Sequence, residues 1–341
     1  MMSFFSIISL LLLLFSLSSV VISDGESFQK LPVPENRSGP EAFAFDSTGK
    51  GFYTGVSGGK ILKYTPETGY VDFAQITESS NSSWCDGVVG TALAGRCGRP
   101  AGIAFNEKTG ELYVADAPLG LHVVSPAGGL AVKIADSVDG KPFKFLDGLD
   151  VDPTTGVVYF TSFSSRYTPM YFSSLFSSRY TPIQVLIALG LKDATGKLFK
   201  YDPSTKVVTV LMEGLSGSAG CAVSSDGSFV LLSQFTKSNI KRYWIKGPKA
   251  GSSEDFTNSV SNPDNIKRIG STGNFWIASV VNKIVVPTNP SAVKVNSNGE
   301  VLQTIPLKDQ FGDTLLSEVN EFDGSLYIGT LTGPFAGVLK L

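Results

Sequence analysis

Six times along the chain, a polar turn built on glycine gives way to a short stretch in which apolar and polar positions alternate. The copies run Asp46 to Tyr53, Glu107 to Tyr113, Asp152 to Tyr159, Ser224 to Val230, Gly270 to Trp276 and Glu321 to Tyr327. Alternation with period two is the pattern of a half-buried strand, and glycine supplies the positive φ that a tight hairpin turn needs. The aromatic or valine that ends each copy falls at 53, 113, 159, 230, 276 and 327, so the gaps are 60, 46, 71, 46 and 51 residues. A four-stranded blade takes roughly 40–50 residues, and one blade cannot bury its own apolar faces. Six copies therefore predict an all-β chain, a six-bladed β-propeller with four-stranded blades and short helical or loop insertions. The two long gaps mark the insertions.

The 71-residue gap holds a local duplication: Phe163 to Pro169 reads FSSRYTP, and Phe176 to Pro182 repeats it. A second copy inside a blade would flip its register, so it is expected as an extruded loop or short helical excursion. The stretch Tyr171 to Phe176, with Leu189 and Leu191 after it, is apolar enough to lean over the channel mouth as a lid; the alternative is a tolerated insertion with no role.

Ahead of the repeats, Phe4 to Phe15 is apolar apart from two serines, and Val21 and Ser23 give small residues at a cleavage spacing. Residues 1–23 are expected to be a signal peptide, with a retained anchor as the alternative because apolar character continues to Ile22, and 24–341 a single propeller domain, free of the membrane after cleavage. Cys85 and Cys97 lie in a glycine-rich loop within the 60-residue gap, an easy closure for a disulfide, while Cys221 sits in an apolar strand as a free thiol. Asn36-Arg-Ser and Asn81-Ser-Ser are glycosylation sequons. Together these features predict the secretory pathway, with the vacuole ahead of the cell exterior or endoplasmic reticulum.

Composition then narrows the chemistry. The 341 residues are 42% hydrophobic with a formal net charge of −2, so there is no electrostatic footprint for nucleic acid. The densest basic stretch, Lys237 to Lys249, is interleaved with Ile240, Tyr243, Trp244 and Ile245 and reads as a strand with a solvated face. His122, the one histidine of the chain, lies in the apolar run Leu119 to Val124 and is expected in the core, which leaves zinc sites and Ser-His-Asp triads without their usual residue. No phosphate-binding glycine loop is present. Carboxylates and amides remain. Glu41, Asp147, Asp264 and Asn265 fall at the starts of inner strands, where they either cap turns or offer the oxygen ligands that calcium prefers.

The runs PEAFAFDSTGKGFYTGVSGGKILKY, SVDGKPFKFLDGLDVDPTTGVVYFT, GKLFKYDPSTK, VSNPDNIKR and EVNEFDGSLYIGT resemble the plant strictosidine synthase family over essentially the whole mature chain. The resemblance implies a six-bladed propeller, a disulfide at Cys85 and Cys97, and an apolar channel for a small hydrophobic ligand. The activity it implies is condensation of tryptamine with the aldehyde secologanin. The family's catalytic glutamate stands four residues before the Glu of its Glu-His-Asp-Gly turn, which is Ser317 here. A hydroxyl cannot replace a carboxylate as general base or ammonium counter-ion. Strand alternation predicts that Ser317 faces the channel and that the adjacent Glu318 faces away. The supporting histidines match Leu315 and Asn274, and the active-site tyrosine matches Asp147. Glu41, Asp147, Asp264 and Asn265 are also similar to the calcium ligands of paraoxonase-like and gluconolactonase-like hydrolases, which act on an ester or lactone. In that comparison Ala219 replaces an amide ligand and Ala101 a histidine. Alkaloid-type condensation, ester or lactone hydrolysis, and non-catalytic or defence-associated ligand binding are the three functions to be separated.

Overall fold

The computed structural model describes residues 27–88, 93–168, 193–281 and 289–341. The signal segment, the second copy of the duplication and the expected lid residues fall outside the described residues. Among the described residues six sheets stand in a ring, each a blade: Phe43–Gln75, Pro100–Ala135, Phe145–Leu215, Cys221–Thr257, Pro263–Pro306 and Leu316–Lys340, antiparallel except where Gly129–Leu130 adds a short parallel strand to the outer edge of the first. The last blade has three strands of its own, and its fourth is the N-terminal strand Phe28–Pro32, which pairs antiparallel with Phe335–Lys340. The ring is closed by joining its two ends in one sheet.

Each glycine turn of the repeat connects the innermost strand of a blade to the second strand, as between Phe145–Val151 and Val158–Ser164. The polar turn residues cap it locally. In the third blade Asp152 Oδ1 accepts from the Thr154 amide at 2.8 Å and Oδ2 from the Thr155 hydroxyl at 2.7 Å.

The core is a set of wedges between neighbouring blades, because alternate strand residues point to opposite faces. Tyr53, Ile61, Ile103 and Val114 fill the seam between the first and second blades, and Trp276, Ala278, Leu316 and Ile328 the seam between the fifth and sixth. His122 belongs to this packing: it is 2% exposed and its Nδ1 lies 3.1 Å from Gly120 O. Burial pulls its pKa down to about 4. The basic stretch is likewise structural, with Lys241 paired to Asp255 and Arg242 to Glu254.

The 60-residue gap is the insertion between the first and second blades. It folds into two short 3-10 turns and a short helix, Ala94–Cys97, held by a Cys85–Cys97 disulfide with a Cα separation of 5.6 Å. Cys221 is buried with its Sγ against Tyr159 O, and burial pushes its thiol pKa up, so it is unreactive.

Candidate functional site

Glycines set how close the inner strands come. A Cβ on Gly148 would lie 2.5 Å from Gly220 Cα, and one on Gly220 would lie 2.4 Å from Asn265 Cα. A Cβ on Gly102 would meet Asp147 O at 2.4 Å. Backbone therefore nearly touches backbone from the second blade to the fifth, and Gly148 N donates across the gap to Ala219 O at 2.7 Å. Because the blades meet this tightly at the end where the inner strands begin, side chains from different blades converge there. We call this end the upper channel, and the end carrying the repeat turns the lower channel.

Four carboxyl groups gather in the upper channel. Glu41 is 6% exposed and Oε2 lies 2.6 Å from the Arg99 guanidinium, which also donates to Gly39 O at 3.0 Å and Leu331 O at 2.8 Å. Arg99 thus ties the first, second and sixth blades together. Burial pushes the Glu41 pKa up to about 7 despite the pull of Arg99. Glu318 is fully buried; its Oε1 accepts from Phe43 N at 2.7 Å and its Oε2 meets Lys267 Nζ at 3.1 Å. Asp147 and Asp264 have no cationic partner among the described residues. Burial first, and then the neighbouring carboxylates, hold both of their pKa values well above the usual carboxylate range. Asp264 keeps accessible surface although protein surrounds it, as a side chain on a channel wall does. Beside it, Asn265 Nδ2 is buried with no hydrogen-bond partner among the described residues.

The expected division between Ser317 and Glu318 is corrected. The pairing of Leu316–Phe322 with Ser325–Thr330 slips between Leu316 and Glu318, so simple alternation fails at Ser317. Both side chains reach the seam between the sixth and first blades. Ser317 is 1% exposed and its hydroxyl donates to Glu41 O at 2.6 Å. Glu318 sits among the carboxylates rather than facing away from them, yet both of its oxygens are engaged. Leu315 is buried, and Asn274 lies in the turn that opens the second strand of the fifth blade.

The candidate calcium ligands do converge on the upper channel, but as a set they do not fit the ion. Calcium takes six to eight oxygens. Glu41 is bound to Arg99, Glu318 to Lys267 and a backbone amide, and Ala219 offers no side-chain oxygen. Among the described residues no three His, Cys, Asp or Glu side chains are assembled around a common point. Two cations that sequence reasoning passed over, Arg99 and Lys267, stand beside the carboxylates instead. Each pair is formed across blades by residues far apart in the chain, so no local pattern marks it. The sequon asparagines Asn36 and Asn81 are both exposed.

Comparison with known proteins adds descent to this geometry. A family profile described as strictosidine synthase matches residues 169–248. The strictosidine synthase-like protein 12 of Arabidopsis thaliana is 89% identical over 341 residues, covering 100% of this chain and 98% of that protein. The strictosidine synthase of Catharanthus roseus is 37% identical over 312 residues, covering 88% of this chain and 83% of that enzyme. Among solved structures, a putative gluconolactonase superposes with a TM-score of 0.63 at 13% identity, over 94% of this chain and 93% of that one, a likeness of fold alone.

Proposed function

The chain belongs to the strictosidine synthase family, and we propose that its upper channel binds a small organic amine whose ammonium is received by Asp147 and Asp264. One observation carries this reading. Of the four carboxyl groups, Glu41 and Glu318 are matched by Arg99 and Lys267, and Asp147 and Asp264 are not. A ligand ammonium supplies the missing charge.

The same pair suits the family's chemistry. Two neighbouring carboxyl groups whose pKa values are raised by burial and by each other suit a shared proton, with one as base and the other as acid. The carboxylate takes a proton from the ammonium, and the freed nitrogen lone pair forms a bond to the aldehyde carbon as the acid protonates the carbonyl oxygen. The carboxylate left by that acid then takes a proton from the nitrogen, the other carboxyl returns its proton to the new hydroxyl, and water leaves as the nitrogen lone pair forms the iminium that cyclises in an alkaloid-type condensation. Ser317 takes no part, because its hydroxyl is committed to Glu41 O.

A second reading uses the same residues for ester or lactone hydrolysis. The carboxylate would activate water, and the unpartnered Asn265 amide would hold the carbonyl oxygen. Calorimetric titration separates the two. The amine reading expects tryptamine to bind at least tenfold more tightly than its neutral analogue tryptophol at pH 7, with product formed when secologanin is added. Equal affinities, with turnover of lactones or aryl esters in a chelator, would transfer the site to hydrolysis. We also infer a secretory route, which the buried disulfide and the exposed Asn36 and Asn81 support, and place its end in the vacuole as a proposal that rests on neither. Unchanged gel mobility after endoglycosidase treatment of the plant protein would count against glycosylation at these sites.

A further inference from the structure

We propose that the lower channel is a second ligand site, one for a compact aromatic carboxylate. A cavity of about 760 Å³ opens there, lined by residues from every blade, which is room for a molecule of one or two fused rings. Phe45 and Phe322 stack on one wall with ring centroids 4.1 Å apart and planes 5° from parallel, giving a flat apolar face.

The polar lining decides the sign of the ligand. Most of its acceptors already have donors: Asp46 takes Thr48 N and the Tyr53 hydroxyl and pairs with Lys63, and of the four lining carboxylates Glu107 is the one with no partner among the described residues. Asp150 Oδ2 takes Val223 N at 2.8 Å and Arg268 at 3.1 Å. Glu321 takes Trp276 Nε1 at 2.6 Å. The donors are less fully used. Arg268 directs one terminal nitrogen to Asp150 and Val223 O, while its Nε and other terminal nitrogen have no partner among the described residues. Lys267 has three N–H groups and, among the described residues, Glu318 as its acceptor. Free donors on two cations beside a flat aromatic wall fit a carboxylate joined to a ring. The Lys267–Glu318 pair lies between this cavity and the upper carboxyl cluster, so the site stands whether or not the amine reading does.

Calorimetry of the whole mature protein with 1-naphthoate, 1-naphthylmethanol and 1-naphthylmethylamine tests it. The expected result is saturable 1:1 binding of naphthoate, at least tenfold tighter than the alcohol or the amine. Arg268→Gln should weaken it at least tenfold. Because Arg268 also joins three blades, Ser271→Glu provides an independent check: it adds a carboxylate at an exposed position on the cavity wall, and should weaken naphthoate at least fivefold with an unchanged Tm. No saturable binding, equal affinity for the alcohol, or full affinity in the Ser271→Glu protein would overturn the proposal.

Discussion

The two ends of the same inner strands follow different rules. At the lower end one local pattern recurs: a glycine turn, capped by a side chain in the first five blades, and an apolar strand leaving it. At the upper end no two blades contribute alike. Glu41 meets a guanidinium, Glu318 an ammonium and a backbone amide, and Asp147 and Asp264 form no ion pair among the described residues. Repetition builds the ring, and departure from repetition builds the site. Changes at the upper end should therefore cost more and alter binding, whereas changes in a turn should cost little and leave binding alone.

The largest effect is expected from Arg99→Met. It strands a buried carboxyl and empties the hydrogen bonds to Gly39 and Leu331, so denaturant unfolding should show a loss of about 3–5 kcal/mol. The glycines give the comparison in its sharpest form. Gly220→Ala would push a methyl to 2.4 Å from Asn265 Cα, for an expected loss of about 3 kcal/mol. Gly324→Ala, in a lower turn at φ +70° with nothing within 4 Å, should lose only about 1 kcal/mol from the left-handed backbone. Equal losses at the two positions would break the distinction between the ends.

That distinction also explains how much the sequence could reveal. The six turns are contiguous motifs such as DPTTG and EFDG, so blade number and insertions were legible from local pattern. The disulfide was legible too, because its partners share one loop. Glu41, Asp147 and Asp264 were recognisable as inner-strand carboxyls. Their partners were not, since Arg99 reaches Glu41 and Lys267 reaches Glu318 only after the ring has closed. The orientation of Glu318 was missed for a different reason: a register slip at Ser317 depends on how two strands pair, and nothing in the run LLSEVNEF announces it.

A smaller effect follows from the raised pKa values of Glu41 and of Asp116, a buried carboxyl at the end of the second strand of the second blade whose Oδ2 accepts from Arg99 N at 2.6 Å; burial pushes both up to about 7. Through these two groups the folded chain holds more protons than the unfolded chain between about pH 4.5 and 7, so their contribution to stability falls as pH rises through that window. Tm should be higher at pH 5.5 than at pH 7.5, by on the order of a few degrees. Glu41→Gln should flatten the slope, and an unchanged slope would remove Glu41 from its cause.

The central claim is that the unmatched pair Asp147 and Asp264, and not Ser317, receives the ligand ammonium. Titrating tryptamine into the native protein, Asp264→Asn and Ser317→Ala at pH 7 tests it most directly. Asp264→Asn should weaken binding at least tenfold while Ser317→Ala stays within about twofold of the native protein. Full affinity in Asp264→Asn, with the loss appearing in Ser317→Ala, would contradict it.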